Sequence, residues 1–99
     1  MAAVKKLTPK EVDKWVAKHD AWTVSAKHDS LTQSFSFASA VAALAFAAKI
    51  TVHAELLQHH PVIELSHSKV KIKLHTNDVK GLTTKDFDLA KRIEGMQCS

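Results

Sequence analysis

Two imidazoles stand side by side in the stretch Glu55-Leu56-Leu57-Gln58-His59-His60-Pro61, where a long apolar run ends. Imidazole is the side chain whose ordinary pKa lies near neutrality, so an adjacent pair is suited to moving protons to and from a bound molecule. Proline cannot continue a helix and pushes the residue before it towards extended geometry. The spacing therefore predicts that His60 is non-helical and that His59 lies at or next to a helix end. The carboxyl end of a helix favours a protonated imidazole by roughly 0.3–1 kcal/mol. One ring could then act as an acid while its neighbour stays neutral. Zinc is a poor alternative, because adjacent histidines rarely converge on one ion and no cysteine or histidine stands at a usual ligand spacing. The chain has seven histidines. Of these, His19, His28 and His53 read as surface or edge residues.

The elements that must position this pair are legible in outline. Thr8-Pro9-Lys10-Glu11 has the form of a capping box with proline at the first helical position, and Leu7 and Val12 can staple across it. Thr83-Thr84-Lys85-Asp86 repeats the threonine-to-acid spacing, with Leu82 and Phe87 as the staple pair. The first helix is predicted to bury Val12, Trp15 and Val16, with His19 at the edge of the same face. The last is predicted to bury Phe87, Leu89, Ala90 and Ile93. Between them, 22–26 and 31–37 read as strands around the turn-like Lys27-His28-Asp29-Ser30, with Leu31, Gln33, Phe35 and Phe37 on one face. The segment 38–57 reads as a long alanine-rich helix, apolar around most of its girth and so covered on more than one side. Ile63 and Leu65 mark a short strand, and His67-Ser68 a tight turn. Lys69 to Thr76 then alternates, with Val70, Ile72, Leu74 and Thr76 on one face and Lys71, Lys73, His75 and Asn77 on the other. The predicted architecture is α+β: a four-stranded antiparallel sheet with three helices on one face, in the order α-β-β-α-β-β-α.

Size and composition limit the function classes. Ninety-nine residues form one domain, spanning 1–99, with a modest core that oligomerisation would supplement. Net charge is +4, from 14 basic and 10 acidic residues, and the lysines are scattered. No clustered phosphate-binding stripe is present, so direct nucleic-acid binding is not expected. The single cysteine, Cys98, cannot form an intramolecular disulfide. No apolar stretch follows the first lysines, so no signal peptide is expected. The most apolar run, 38–48, is shorter than the roughly 20 residues that span a bilayer. The expectation is a soluble protein with no membrane contact, cytoplasmic, with the nucleus as a second compartment.

Taken in order, these residues resemble the pterin-4a-carbinolamine dehydratases. The resemblance rests on Glu55-x-x-x-His59-His60-Pro61, on Lys69-Val70-x-Ile72-x-Leu74-x-Thr76, and on Gly81-Leu82-Thr83-x-x-Asp86-x-x-Leu89-Ala90-x-x-Ile93, with Trp22 and Phe35-x-Phe37 upstream. It implies a small α+β fold whose subunits join edge strands and pair through helices, giving a homodimer or homotetramer. It implies removal of water from 4a-hydroxytetrahydropterin to give quinonoid dihydropterin, which recycles tetrahydrobiopterin for aromatic amino acid hydroxylases without a metal or organic cofactor. By the same resemblance His59, His60 and Asp86 form the catalytic set, and Glu55, Trp22, Thr76 and Asn77 occupy substrate-binding positions. Asp86 also has a structural reading, since at the third helical position it would complete the cap of Thr83.

The chain departs from the family pattern twice. Asn77 stands where a third histidine is usual, and an amide cannot shuttle a proton near neutral pH. His75, two residues earlier, lies about 6.6–6.8 Å back along a strand and would need a register change or bulge to take that place. His67 stands where an aromatic residue is usual. These departures keep two other functions open. Animal members of the family also act as a dimerisation cofactor for a homeodomain transcription factor, so a catalytically weakened coactivator with such a partner is one alternative. A pterin carrier that binds without turnover is the other.

Overall fold

The computed structural model describes residues 5–97. In chain order the elements are α1 (Pro9–Lys18), β1 (Thr23–Val24), β2 (Leu31–Ser36), α2 (Ala40–Leu57), β3 (Val62–Ser66), β4 (Lys69–Leu74), a 3-10 turn (Asn77–Val79) and α3 (Thr84–Gln97). This is the α+β order that the sequence predicts. All strand pairs are antiparallel, in the spatial order β1-β2-β4-β3. The β3–β4 hairpin closes through His67-Ser68, and His67 takes the positive φ (55°) that a two-residue loop demands.

Register sorts the sheet into two faces. Leu31 pairs with Leu74, Gln33 with Ile72 and Phe35 with Val70, which places the buried residues of β2 and β4 together. The intervening pairs, Thr32 with Lys73 and Ser34 with Lys71, carry the opposite, polar face. Helix α2 lays Ala43, Phe46, Ala47, Ile50 and Ala54 into the core at helical spacing. Helix α3 adds Leu89, Ala90 and Ile93, and α1 adds Val12. Trp15 is only partly buried, stacked between His19 (centroids 4.0 Å) and Phe87 (4.4 Å).

Several expectations change. Phe87 is half-buried, because it stacks on Trp15 near the surface. The first strand shortens to Thr23–Val24, and Phe37 lies beyond the end of β2. Strand β4 stops at Leu74, short of Thr76. Thr76 instead exchanges backbone hydrogen bonds with Gly81 (2.7 and 3.3 Å), which closes a small loop; His75 and Asn77 still border one hollow with Lys73, on the face the sequence predicts. Helix α2 is longer than its most apolar run; its 18 residues are apolar enough to cross a membrane by length and composition alone. In this fold one stripe of it is sealed against the sheet. Its other side leaves Val41, Leu44, Val52 and Leu56 exposed, so the cover expected there is not supplied by the described residues. Cys98 lies outside the described residues.

Candidate active site

Three local devices bring the site together. The first ends α2. Gln58 adopts the left-handed conformation (φ 51°, ψ 44°), its N–H donates to Glu55 O, and the His59 N–H donates to Ala54 O (2.9 Å). This pairing is the Schellman arrangement, which turns the chain sharply at a helix end. It sends the two imidazoles different ways. His59 is 8% exposed, whereas the His60 side chain is 60% exposed and meets Glu55 Oε1 at 3.2 Å on the rim.

The second device is the Thr76–Gly81 loop, and the third is the start of α3. Asp86 is fully buried there and both its oxygens are engaged. Oδ1 lies 2.5 Å from His59 Nε2. Oδ2 accepts from the Thr76 hydroxyl (2.7 Å) and from the Thr83 backbone N–H (3.0 Å). The expected cap is therefore half present: the acid reaches back to the Thr83 backbone, but the Thr83 hydroxyl pairs with Thr76 Oγ1 (2.9 Å). A carboxylate with three donors around it is an acceptor throughout, so His59 Nε2 carries the hydrogen. His59 Nδ1 has no hydrogen-bond partner among the described residues, and it is not sealed from solvent. It is the ring position left for a ligand.

These groups border a cleft of about 290 Å³ lined by His59, His60, His75, Thr76, Asn77 and Lys85, among others. Five of the expected site residues thus meet in one region: His59, His60, Thr76 and Asn77 on the wall and Glu55 against His60 at the rim. Asp86 reaches the cleft only through His59 and Thr76. Trp22 does not line it. Its ring is buried in the core (1% exposed) and its indole N–H donates to Glu94 Oε2 (3.2 Å). A larger hollow of about 540 Å³ between β2 and α2 is lined by Phe35, Phe37, Phe46 and Lys49 and holds no acid–base pair. Among the described residues no group of three or more His, Cys, Asp or Glu side chains could hold a metal ion.

Sequence reasoning missed Lys85 as a cleft residue; His75, weighed only as a stand-in for the histidine that Asn77 replaces, lines the cleft beside Asn77. The signal for His75 was the alternation that sets Lys73, His75 and Asn77 on one face, which runs on past the end of β4. Nothing in the local spacing marked Lys85.

The sequence profile of the family described as pterin 4 alpha carbinolamine dehydratase matches residues 5–96. The chain belongs to this family. A relative in Acidobacterium capsulatum, whose name as a pterin-4-alpha-carbinolamine dehydratase is provisional, is 38% identical over 90 residues, covering 91% of this chain and 96% of the relative. A crystal structure described as a transcriptional coactivator/pterin dehydratase from Brucella melitensis superposes with a TM-score of 0.86 at 27% identity, covering 92% of this chain and 97% of the other. A pterin dehydratase-like protein described as a RuBisCO assembly factor in the alpha-carboxysome shares the fold (TM-score 0.65, 23% identity, 78% of this chain and 89% of that one). The carbinolamine dehydratase fold thus carries more than one described role, and membership alone does not assign the reaction.

Proposed function

We propose that this protein dehydrates 4a-hydroxytetrahydropterin to quinonoid dihydropterin, acting in the cytoplasm to recycle tetrahydrobiopterin for aromatic amino acid hydroxylases. The observation that carries the reading is His59, held by buried Asp86 through Nε2 and open at Nδ1 in a cleft shared with His60. Two proton movements are required. The C4a hydroxyl gains a proton and leaves as water while the C4a–O bond breaks. The neighbouring ring nitrogen loses a proton as its bond to C4a becomes double.

His59 suits the second step. Asp86 fixes its tautomer and orientation and supplies the counter-charge when the ring becomes a cation. His60 suits the first, since its solvent-exposed ring can be reprotonated directly from water between turnovers. Asp86 is then a positioning residue rather than one that touches substrate. Thr76 holds Asp86, and Asn77 offers hydrogen bonds to the pterin. Trp22 has no part in binding on this reading. A coupled hydroxylase assay tests the proposal. Purified protein should accelerate carbinolamine loss, and equal rates with and without it would reject the reading.

A second reading has its own observation. Val41, Leu44, Val52 and Leu56 form an open apolar face on α2, and the Brucella neighbour is described as a coactivator as well as a dehydratase. Pairing of two copies through α2, or of one copy with a transcription factor, would cover that face. Light scattering of wild type and of Leu44→Lys/Val52→Lys tests it: a drop in oligomer size is expected, and an unchanged monomer in both would reject self-pairing.

A further inference from the structure

His75 is the one histidine of the cleft that the proposed reaction does not use. Its Nε2 lies 2.7 Å from Asn77 Oδ1. An amide oxygen only accepts, so Nε2 carries the hydrogen. Its Nδ1 is buried with no hydrogen-bond partner. A hydrogen at Nδ1 would be an orphaned buried donor, which folded proteins rarely tolerate. The ring is therefore held as the Nε2–H tautomer, with Nδ1 a bare lone pair sealed from the cleft. Such a ring is poorly placed to pass protons between a ligand and solvent.

What the ring does is occupy the oxygen end of Asn77. Reversing that amide would set its N–H groups against the Nε2–H. The amide nitrogen is thus the free end of Asn77, and both residues line the cleft as well as a smaller hollow beside Lys73 and Lys80. The pair is also held in place relative to His59: Thr76, between His75 and Asn77 in the chain, donates its hydroxyl to the carboxylate that binds His59.

We infer that His75 is a positioning residue that turns the Asn77 amide so that its N–H donors face the cleft, and that this end of the site selects a heterocycle offering a carbonyl acceptor over its amino counterpart. The inference rests on the pterin reading above and adds a ring-edge preference to it. A fixed donor facing an amino group leaves both groups unpaired, and that mismatch is the source of selectivity.

The test is calorimetric binding of a 2-amino-4-oxo-dihydropteridine and of its 2,4-diamino counterpart, with the pH profile of kcat measured beside it. Wild type should prefer the 4-oxo ligand by about tenfold. His75→Phe should reduce that preference to about twofold or less. His75→Gln should restore it, since its amide N–H can donate to Asn77 Oδ1 but cannot carry a proton. An unchanged preference in His75→Phe overturns the inference while leaving the dehydratase reading intact. Loss of one limb of the pH profile in His75→Gln also overturns it, because His75 would then be a proton carrier. A wild-type protein that binds neither pteridine sinks both readings.

Discussion

His59 and His60 share a peptide bond but sit in opposite physical settings. His59 is buried and tied to a carboxylate that is itself held by two further hydrogen bonds. His60 is mostly in solvent and meets an equally exposed glutamate. An exposed pair of that kind contributes about 0–1 kcal/mol, whereas removing one partner of a buried pair costs roughly 3–5 kcal/mol. The same side chain is thus structural as well as chemical at one position and only chemical at the next. On the proposed reaction the division is useful, since one proton site needs fixed geometry and the other needs rapid exchange with water.

The largest effect expected from this contrast is at Asp86. Asp86→Ala should lower stability to urea by roughly 3–5 kcal/mol, much of what a chain this small has, and lower dehydratase activity by about 10²–10⁴-fold. Asp86→Asn separates the two losses. Its carbonyl can still accept from Thr76 and Thr83, but its amide nitrogen cannot accept from His59 Nε2–H, so kcat should fall with a smaller loss of stability. If Asp86→Asn keeps full activity, the buried contact does not position the reacting ring.

Replacing each histidine by alanine comes next. Both variants should lose about 10²–10⁴-fold in activity. Only His59→Ala should also lose stability, by roughly 3–5 kcal/mol, because it strips a partner from a buried carboxylate. His60→Ala should stay within about 0.5 kcal/mol of wild type. Equal stability losses in the two variants would dissolve the comparison.

Thr76→Val should cost about 1–3 kcal/mol by removing the donor to Asp86 Oδ2. Gln58→Gly addresses the turn that separates the rings. It relieves about 1–2 kcal/mol of left-handed strain and gives back about 0.5–1 kcal/mol in chain entropy. A net gain near 0.5 kcal/mol in urea denaturation is expected.

The smallest effect lies far from the cleft, in the α1 capping box. The backbone N–H of Thr8, then its hydroxyl contact, with Lys5 nearby, hold the Glu11 carboxyl below its ordinary value. Its contribution is complete above the ordinary carboxylate range and disappears as pH falls through the lowered folded value. Amide protection factors, from which the intrinsic pH dependence of exchange is removed, should therefore fall in the first turn of α1 on acidification while those in the middle of α2 do not.

The elements were legible because they are written in local, periodic terms. Thr8 through Glu11 carry a cap, Val70, Ile72 and Leu74 alternate with lysines, and Pro61 ends the helix before His60. Each signal lies within a few residues, so the sequence alone determined the order of helices and strands, the sheet face that is buried, and the adjacency of two proton-carrying rings at a helix end.

The wiring of the site was not legible in that way. Asp86 meets His59 across 27 positions and Trp22 meets Glu94 across 72. Such pairings depend on how packed elements approach one another, and no periodicity records them. The end of β4 at Leu74 likewise followed from Thr76 choosing Gly81 as its backbone partner over a continued ladder. Composition and spacing therefore determined which groups are available for acid–base chemistry. Only the tertiary structure decided which of them is buried, which is wet, and which merely steadies a neighbour, because burial and hydrogen-bond partnership are properties of the packed interior.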